Sequence, residues 1–128
     1  MRNPETDPFK RKMAERSAFV RDWCTAFHRY RAEHSSQFPS SFDQAKPYLE
    51  PQSEPKRGLS PNSFEIVYRG LWTAMQKPNE VILLKERAPW KASEGKWVKV
   101  YGMVDGSAVG LTRDDAGAFE TWEQEHTS

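Results

Sequence analysis

The chain has 128 residues, 37% of them hydrophobic and 29% charged, which suits one domain with a single core and leaves too little chain for two. Its 19 Lys and Arg residues are balanced by 18 Asp and Glu residues, and the net charge of +1 excludes a global electrostatic attraction to nucleic acid or anionic lipid. Cys24 is the single cysteine, so an intramolecular disulfide is excluded. No stretch approaches the roughly 20 apolar residues of a membrane-spanning helix. We expect residues 1–128 to form a single domain with frayed ends at 1–6 and 126–128.

The first predicted element is a long amphipathic helix. Asp7 provides an N-cap carboxylate, and Pro8 is a first helical residue whose missing N–H costs nothing. The helix is predicted to end near His34, ahead of Pro39, which makes it about 40 Å long at 1.5 Å per residue. Its apolar residues recur at helical spacing: Phe9, Met13, Val20, Trp23, Phe27 and Tyr30. Such a stripe is typical of core packing, and on a helix of this length it also predicts a contact surface for a protein partner.

A short second helix is predicted after the first. Ser41 and Gln44 have the spacing of a capping box, and Phe42 and Leu49 provide apolar contacts. Pro47 is expected to distort this helix, because its ring clashes with the preceding turn. Residues 50–62 are rich in proline and polar residues and are predicted to form a loop.

The second half of the chain has the pattern of an antiparallel sheet. Residues 64–69 are rich in β-branched and aromatic side chains and predict a first strand. Residues 81–86 form a compact apolar run, which predicts a central strand buried on both faces. Residues 97–104 and 107–111 flank Asp105-Gly106, a strong hairpin signal, and predict two adjacent antiparallel strands.

The chain is predicted to end in a short acidic helix over residues 114–125. Asp114 and Asp115 are interpreted as its N-terminus, where carboxylates interact favourably with the helix dipole. Phe119 and Trp122 lie three residues apart and can dock on the sheet. The predicted fold class is therefore α+β, with a long N-terminal α-helix packed on a sheet of three to four antiparallel strands, a short second helix and a short C-terminal helix.

The sequence contains no recognisable catalytic constellation. Gly102, Gly106 and Gly110 are spaced by four, but they fall in the predicted hairpin, where turn geometry accounts for them, and not before a helix as in a phosphate-binding loop. Cys24 and His28 lie four residues apart on the first helix, yet a zinc site needs three or four ligands. We interpret Cys24 as a core residue and His28 as a helix-surface residue. We predict no catalytic residue, no metal site and no cofactor.

One group of aromatic and basic residues favours a contact with nucleic acid, because aromatic platforms combined with cations bind single strands. The candidate residues are Lys85, Arg87, Trp90, Lys91, Lys96 and Trp97. Glu86 and Glu94 lie among them and reduce the local positive charge. The competing interpretation is a loop between two strands that is anchored by the tryptophans.

The order of elements resembles the soluble part of bacterial type IV pilin-like proteins, which include the pseudopilins of type II secretion. In these proteins the long helix is commonly followed by a tyrosine, a short polar stretch, a Phe/Tyr-Pro pair and a short helix. The corresponding residues here are Tyr30, Phe38-Pro39 and Pro47-Tyr48-Leu49, and the antiparallel strands end at Val104-Asp105-Gly106. The resemblance covers residues 17–112 and implies a structural or filament-associated role.

Three sequence blocks are similar to a bacterial tail domain that occurs in uncharacterised proteins and behind some sigma-70-like factors. The blocks span residues 64–70, 97–102 and 119–123. Where relatives often have Asp-Gly-His, this chain has Asp105-Gly106-Ser107, which removes a potential ligand at the turn. The function of that tail domain is undefined, so the similarity implies a domain of unknown function.

These patterns lead to two functional hypotheses. The first is a non-catalytic, pilin-like interaction or structural domain, which the N-terminal helix joins to an anchor, a filament or a neighbouring domain of a larger bacterial protein. It implies an extracytoplasmic, membrane-anchored setting. The alternative is a regulatory or nucleic-acid-associated module attached to a sigma-factor-like transcription protein, which implies the cytoplasm. Both predict a protein partner or neighbouring domain, and neither specifies an oligomeric state.

Overall fold

The architecture is α+β, as the sequence predicts. A computed structural model describes residues 8–50, 59–92 and 95–127. One long helix packs on one face of a five-stranded antiparallel sheet, and a short C-terminal helix packs on the opposite face. The sheet therefore has more strands than the three to four expected.

Helix α1 spans Pro8–Glu33, in agreement with the predicted helix. Its 26 residues give a length of about 39 Å at 1.5 Å per residue. The helix is docked near both ends. The ring of Phe9 lies 5.9 Å from that of Trp90, and the ring of Tyr30 lies 5.9 Å from that of Tyr48. Helix α1 therefore spans the described part of the domain.

The two ends of α1 are defined differently. The predicted N-cap residue, Asp7, lies outside the described residues. At the other end, Ser35 and Ser36 have φ values of 56° and 68°, in the left-handed region that commonly ends helices. The Ser36 N–H donates to the Arg31 carbonyl at 2.8 Å, so this end is closed by a backbone hydrogen bond.

Helix α2 is a single turn, Phe42–Ala45, which continues into a 3-10 turn at Lys46–Tyr48. The Ser41 hydroxyl accepts the Gln44 N–H, as the capping-box spacing predicts. The Gln44 side chain is not part of a capping box, because its Oε1 accepts the Ser40 N–H at 2.7 Å. The α-helical turn becomes a 3-10 turn at the segment that contains Pro47, which confirms the predicted distortion. Most of the predicted loop that follows, residues 51–58, lies outside the described residues.

Five strands form the sheet: β1 Phe64–Ile66, β2 Ile82–Glu86, β3 Trp90–Lys91, β4 Trp97–Met103 and β5 Ala108–Arg113. All of their pairings are antiparallel. Strand β4 is central: β2 and then β3 pair with one of its edges, β5 pairs with the other edge, and β1 pairs with the outer edge of β2. The predicted hairpin at Asp105-Gly106 is confirmed, and Gly106 has a φ of 96° that suits glycine.

Two strand predictions need correction. The first strand ends at Ile66 instead of residue 69, because the Val67 and Tyr68 N–H groups both donate to the Leu83 carbonyl and the regular ladder stops there. A further strand, β3, falls in the segment between predicted strands that we interpreted as a loop. It is only two residues long, too short for a period-two pattern to reveal it.

Helix α3 spans Glu120–Glu125 and is shorter than the helix predicted over residues 114–125. The Asp115 carboxylate accepts a backbone N–H within a turn at 3.1 Å, and this local bond competes with helix formation. The prediction that Asp114 and Asp115 form the helix N-terminus is therefore wrong.

The main core lies between α1 and the sheet. Val20 and Cys24 rest directly on β4, where a Cβ on Gly102 would lie only 2.5 Å from Val20 Cγ1 and 2.7 Å from Cys24 Sγ. Only glycine permits this close approach. A smaller cluster on the opposite face of the sheet is covered by Trp122 of α3, and its buried members are Ile82, Tyr101 and Met103.

Candidate functional site

A buried carboxylate replaces part of the strand ladder between β2 and β3. The two strands pair with β4 on either side of Val100, and the chain between them bulges away. The Glu86 side chain fills the gap: its Oε1 accepts the Val100 N–H at 2.8 Å and the Trp90 indole N–H at 2.9 Å. Arg16 donates to the other oxygen at 3.0 Å. Burial raises the pKa of Glu86, and these donors only partly oppose that effect.

The same cluster fixes the N-terminal half of α1. The Lys12 ammonium lies 4.6 Å and the Arg16 guanidinium 4.9 Å from the centre of the Trp90 ring, both within cation–π range. Phe9 packs against the same ring. Glu86 was not predicted as an organising residue, since a glutamate at the end of an apolar strand carries no signal of burial.

A second buried carboxylate holds α3 on the opposite face. One oxygen of Glu123 accepts hydrogen bonds from Lys99 Nζ at 2.7 Å and the Tyr101 hydroxyl at 2.6 Å, and the other accepts from Lys85 Nζ at 3.0 Å. Burial by itself raises the pKa of Glu123, but the three donors outweigh it and hold the pKa below its usual value. Glu123 therefore stays ionised inside the fold, because the two lysine ammonium groups balance its negative charge.

The cysteine and histidine of α1 have structural surroundings. Cys24 is completely buried, and burial raises the pKa of its thiol to about 12, so it stays protonated as the core residue we predicted. His28 is half-buried, so its interpretation as a surface residue is wrong. Its Nε2 lies 2.7 Å from the Val104 carbonyl, and Arg31 donates to its Nδ1 at 3.2 Å. This pattern requires the neutral ring, and burial lowers the pKa of His28 accordingly. Within residues 8–50, 59–92 and 95–127 there is no group of three His, Cys, Asp or Glu residues able to hold a metal ion.

The outer edge of β5 presents unpaired backbone groups. The Met103 N–H donates to the Ser107 carbonyl, and the register then makes Val109 and Leu111 the residues whose backbone groups pair with β4. The backbone groups of Ala108, Gly110 and Thr112 consequently point away from the sheet. Their N–H groups have no hydrogen-bond partner among the described residues, whereas the Thr112 carbonyl accepts from Arg113 Nη1 at 2.9 Å.

Small and apolar side chains flank this edge. On the α1 face, Gly110 is exposed and lies under the tip of Met13, whose Sδ and Cε would be 2.7 Å from an added Cβ. On the α3 face, Val109 and Leu111 are half-buried and pack against the smaller core cluster. The edge is therefore apolar on one side and has little side-chain bulk on the other.

The opposite edge of the sheet, β1, is protected. The Phe64 N–H points outward but donates to the Pro61 carbonyl of the preceding 3-10 turn. The Ile66 carbonyl accepts from Arg69 Nη1 at 3.0 Å. Proteins commonly block sheet edges in this way, because unpaired strands attract other strands. On β5 the Thr112 carbonyl likewise accepts from Arg113, but three outward N–H groups have no partner among the described residues, which makes β5 the more open of these two edges.

The apolar stripe predicted as a partner surface is used largely within the fold. Val20, Trp23 and Phe27 are buried in the main core. Phe9 packs on Trp90, and Met13 covers Gly110 as described above. Tyr30 stacks on the ring of His34 with centroids 3.8 Å apart. Met13 alone among the six lies at the open edge of β5.

The residues predicted to contact nucleic acid do not form one continuous group, and three of their four cations have acidic partners. Lys85 lies 3.0 Å from Glu123 and 3.3 Å from Glu65, and Arg87 lies 3.7 Å from Glu65. Lys96 forms an ion pair with Asp114. Of the three remaining members, Trp90 is enclosed by the Glu86 cluster, whereas Lys91 lies 5.9 Å from the Trp97 ring on the exposed strand end.

Comparison with known proteins gives no match. No family model matches the chain, and neither a curated protein nor a solved structure matches it. Within the described residues, no helix combines the length and the apolar character needed to cross a membrane.

Proposed function

We propose that the chain is a non-catalytic interaction or structural domain, and that the open edge of β5 is its contact element. The observation that carries this proposal is the row of outward N–H groups at Ala108, Gly110 and Thr112. Exposed strand edges bind extended segments by adding a strand to the sheet, since the backbone supplies a regular set of donors and acceptors.

The buried ionisable groups support the non-catalytic part of the proposal. Glu86 and Glu123 each accept hydrogen bonds from three donors, and both serve to attach a helix to the sheet. Cys24 is buried as a neutral thiol, and both nitrogens of His28 are engaged. Stoichiometric zinc or calcium in the purified protein would contradict this part.

The pilin-like assignment stays a prediction. A long helix, a short second helix and a following antiparallel sheet are in the order that the resemblance implies. A hydrophobic or helical segment encoded directly upstream of Met1 in the natural gene would support an anchored, pilin-like protein. If Met1 proves to be the natural start with nothing upstream, the anchored version fails.

The nucleic-acid alternative also stays a prediction. Its cations are largely paired with carboxylates, which reduces the positive potential a phosphate backbone would meet. Salt-dependent binding to single-stranded DNA or RNA would support it. Absence of binding at ~50 mM salt would contradict it, because electrostatic association is strong at low ionic strength.

The contact element is tested by displaying random extended peptides against three baits. Thr112→Pro removes one outward N–H and leaves the pairing with β4 intact, because proline is tolerated where the N–H faces solvent. Thr112→Val is the matched control, since it retains the N–H. We expect peptides with alternating apolar residues to bind the wild type and Thr112→Val but not Thr112→Pro. If no peptide distinguishes the two variants, β5 is not the contact element.

A further inference from the structure

The geometry of β5 points to a specific occupant, and this inference rests on the proposed function. We propose that the edge binds β5 of a second copy, paired antiparallel about a two-fold axis at Gly110. The two sheets then form one continuous sheet.

The register follows from the direction of the backbone groups. Only Ala108, Gly110 and Thr112 offer outward N–H and C=O groups. In a two-fold antiparallel pair, these residues must face one another. When Gly110 lies opposite Gly110 of the second copy, Ala108 lies opposite Thr112 of that copy, and Thr112 lies opposite its Ala108. The outward N–H groups of all three residues are then used, as in a regular antiparallel ladder. The Thr112 carbonyl, which accepts from Arg113 Nη1 of its own strand, takes the Ala108 N–H of the second copy on its other lone pair.

The same register pairs apolar side chains. Val109 faces Leu111 of the second copy on the α3 side, and the symmetric pair repeats this contact. Both side chains are half-buried in the isolated chain and already adjoin an apolar cluster. Apolar cross-strand pairs of this kind stabilise antiparallel sheets. On the α1 side, the two Gly110 residues meet beneath the two Met13 side chains.

Charge complementarity favours a second copy over an arbitrary strand. Arg113 lies opposite Ser107 of the second copy, one diagonal position from Asp105 of that copy. Asp105 is exposed at the hairpin, where its hydrogen bonds with described residues are both accepted from Ser107, at 2.9 Å and 2.6 Å. Each end of the paired strands therefore brings one guanidinium near one carboxylate.

The helices leave room for this pairing. At Val20 and Cys24, which lie over Gly102, α1 runs above β4. There the two α1 helices would lie on the same face, three strand spacings or about 14 Å apart, which exceeds the ~10–12 Å diameter of a helix with its side chains. The N-terminal half of α1 extends over β5, where Met13 covers Gly110, so the closest approach of the two helices is through the flexible Met13 side chains.

The test measures self-association by sedimentation equilibrium from about 1 µM to about 1 mM. We expect the wild type and Thr112→Val to dimerise with the same Kd. Thr112→Pro removes two hydrogen bonds per dimer and should raise the Kd by about 30-fold. Circular dichroism and Tm must show that both variants fold alike.

A second pair of variants tests the charge contact without a proline. Arg113→Glu places a carboxylate near Asp105 of the second copy and should weaken the dimer, whereas Arg113→Lys should retain it. In the wild type, amide exchange at Ala108, Gly110 and Thr112 should slow as concentration rises. A chain that is monomeric at about 1 mM, or a dimer unaffected by Thr112→Pro, overturns the inference. If the chain is monomeric yet binds displayed peptides through β5, the proposed function stands and the second copy is ruled out as occupant.

Discussion

Removing the Glu86 carboxylate should be among the most destabilising single changes in the chain. Glu86→Ala leaves the buried Val100 N–H and the Trp90 indole N–H without an acceptor and deprives Arg16 of its partner. The Arg16 and Glu86 side chains are only 16% and 6% exposed, so water cannot readily replace the lost bonds. Breaking a buried pair of this kind costs about 3–5 kcal/mol, and we expect a loss of about 4 kcal/mol in the free energy of unfolding.

A matched variant separates the hydrogen bonds from the charge. Because the pKa of Glu86 is raised in the fold, its ionised form is disfavoured relative to the neutral form. Glu86→Gln keeps an acceptor oxygen for Val100 and Trp90 but turns its amide NH2 toward the Arg16 donor, so it should cost about 2 kcal/mol, less than Glu86→Ala. Stability contributed by the raised pKa is present at low pH and is lost as pH rises through the folded pKa, and Glu86→Gln should abolish that dependence.

Urea unfolding followed by tryptophan fluorescence measures these differences. Glu50→Ala is the control for an exposed ion pair, since Arg29 and Glu50 are 44% and 39% exposed, and it should cost at most about 1 kcal/mol. If Glu86→Ala costs no more than Glu50→Ala, the carboxylate does not complete the ladder between β2 and β3.

Three further predictions concern α1 and the glycines beneath it. Because burial lowers the pKa of His28, the free energy of unfolding should fall as the pH decreases below about 6.5, the ordinary pKa of a histidine, and His28→Gln should flatten this slope. Cys24 should react with a thiol reagent only on unfolding, since burial raises its pKa to about 12; rapid labelling of the folded chain would contradict its burial. Gly102→Ala should lower the free energy of unfolding by about 1–3 kcal/mol, because the added methyl group displaces α1. Gly110→Ala should lower it less, because its methyl group meets only the flexible end of Met13. Thermal melts of the two variants measure this order.

Much of the fold could be predicted because local patterns agree with it. The helical spacing from Phe9 to Tyr30 predicts α1, and Asp105-Gly106 predicts the hairpin between β4 and β5. The limits of elements were predicted less well where local hydrogen bonds compete with regular structure. Asp115 closes a turn in place of a helix start, and a bulge at Leu83 ends β1 early.

The buried carboxylates of the candidate site could not be predicted from the sequence. Glu86 and Glu123 look like ordinary surface glutamates, because their burial depends on donors that are distant along the chain, such as Arg16 and Lys85. The predicted nucleic-acid group places its cations close in sequence, but folding brings carboxylates to several of them, as with Lys96 and Asp114. Charge pairing across the chain cannot be read from local composition.

The sequence by itself determined the type and order of the main elements, since periodicity and turn chemistry act over a few residues. Tertiary structure alone decided which edge of the sheet stays open. Val109 and Leu111 alternate with Gly110 and Thr112 in the sequence, but the pairing register with β4 determines which backbone groups are used and which point outward. That register depends on contacts between segments far apart in the chain, and it is what makes β5 the candidate contact surface.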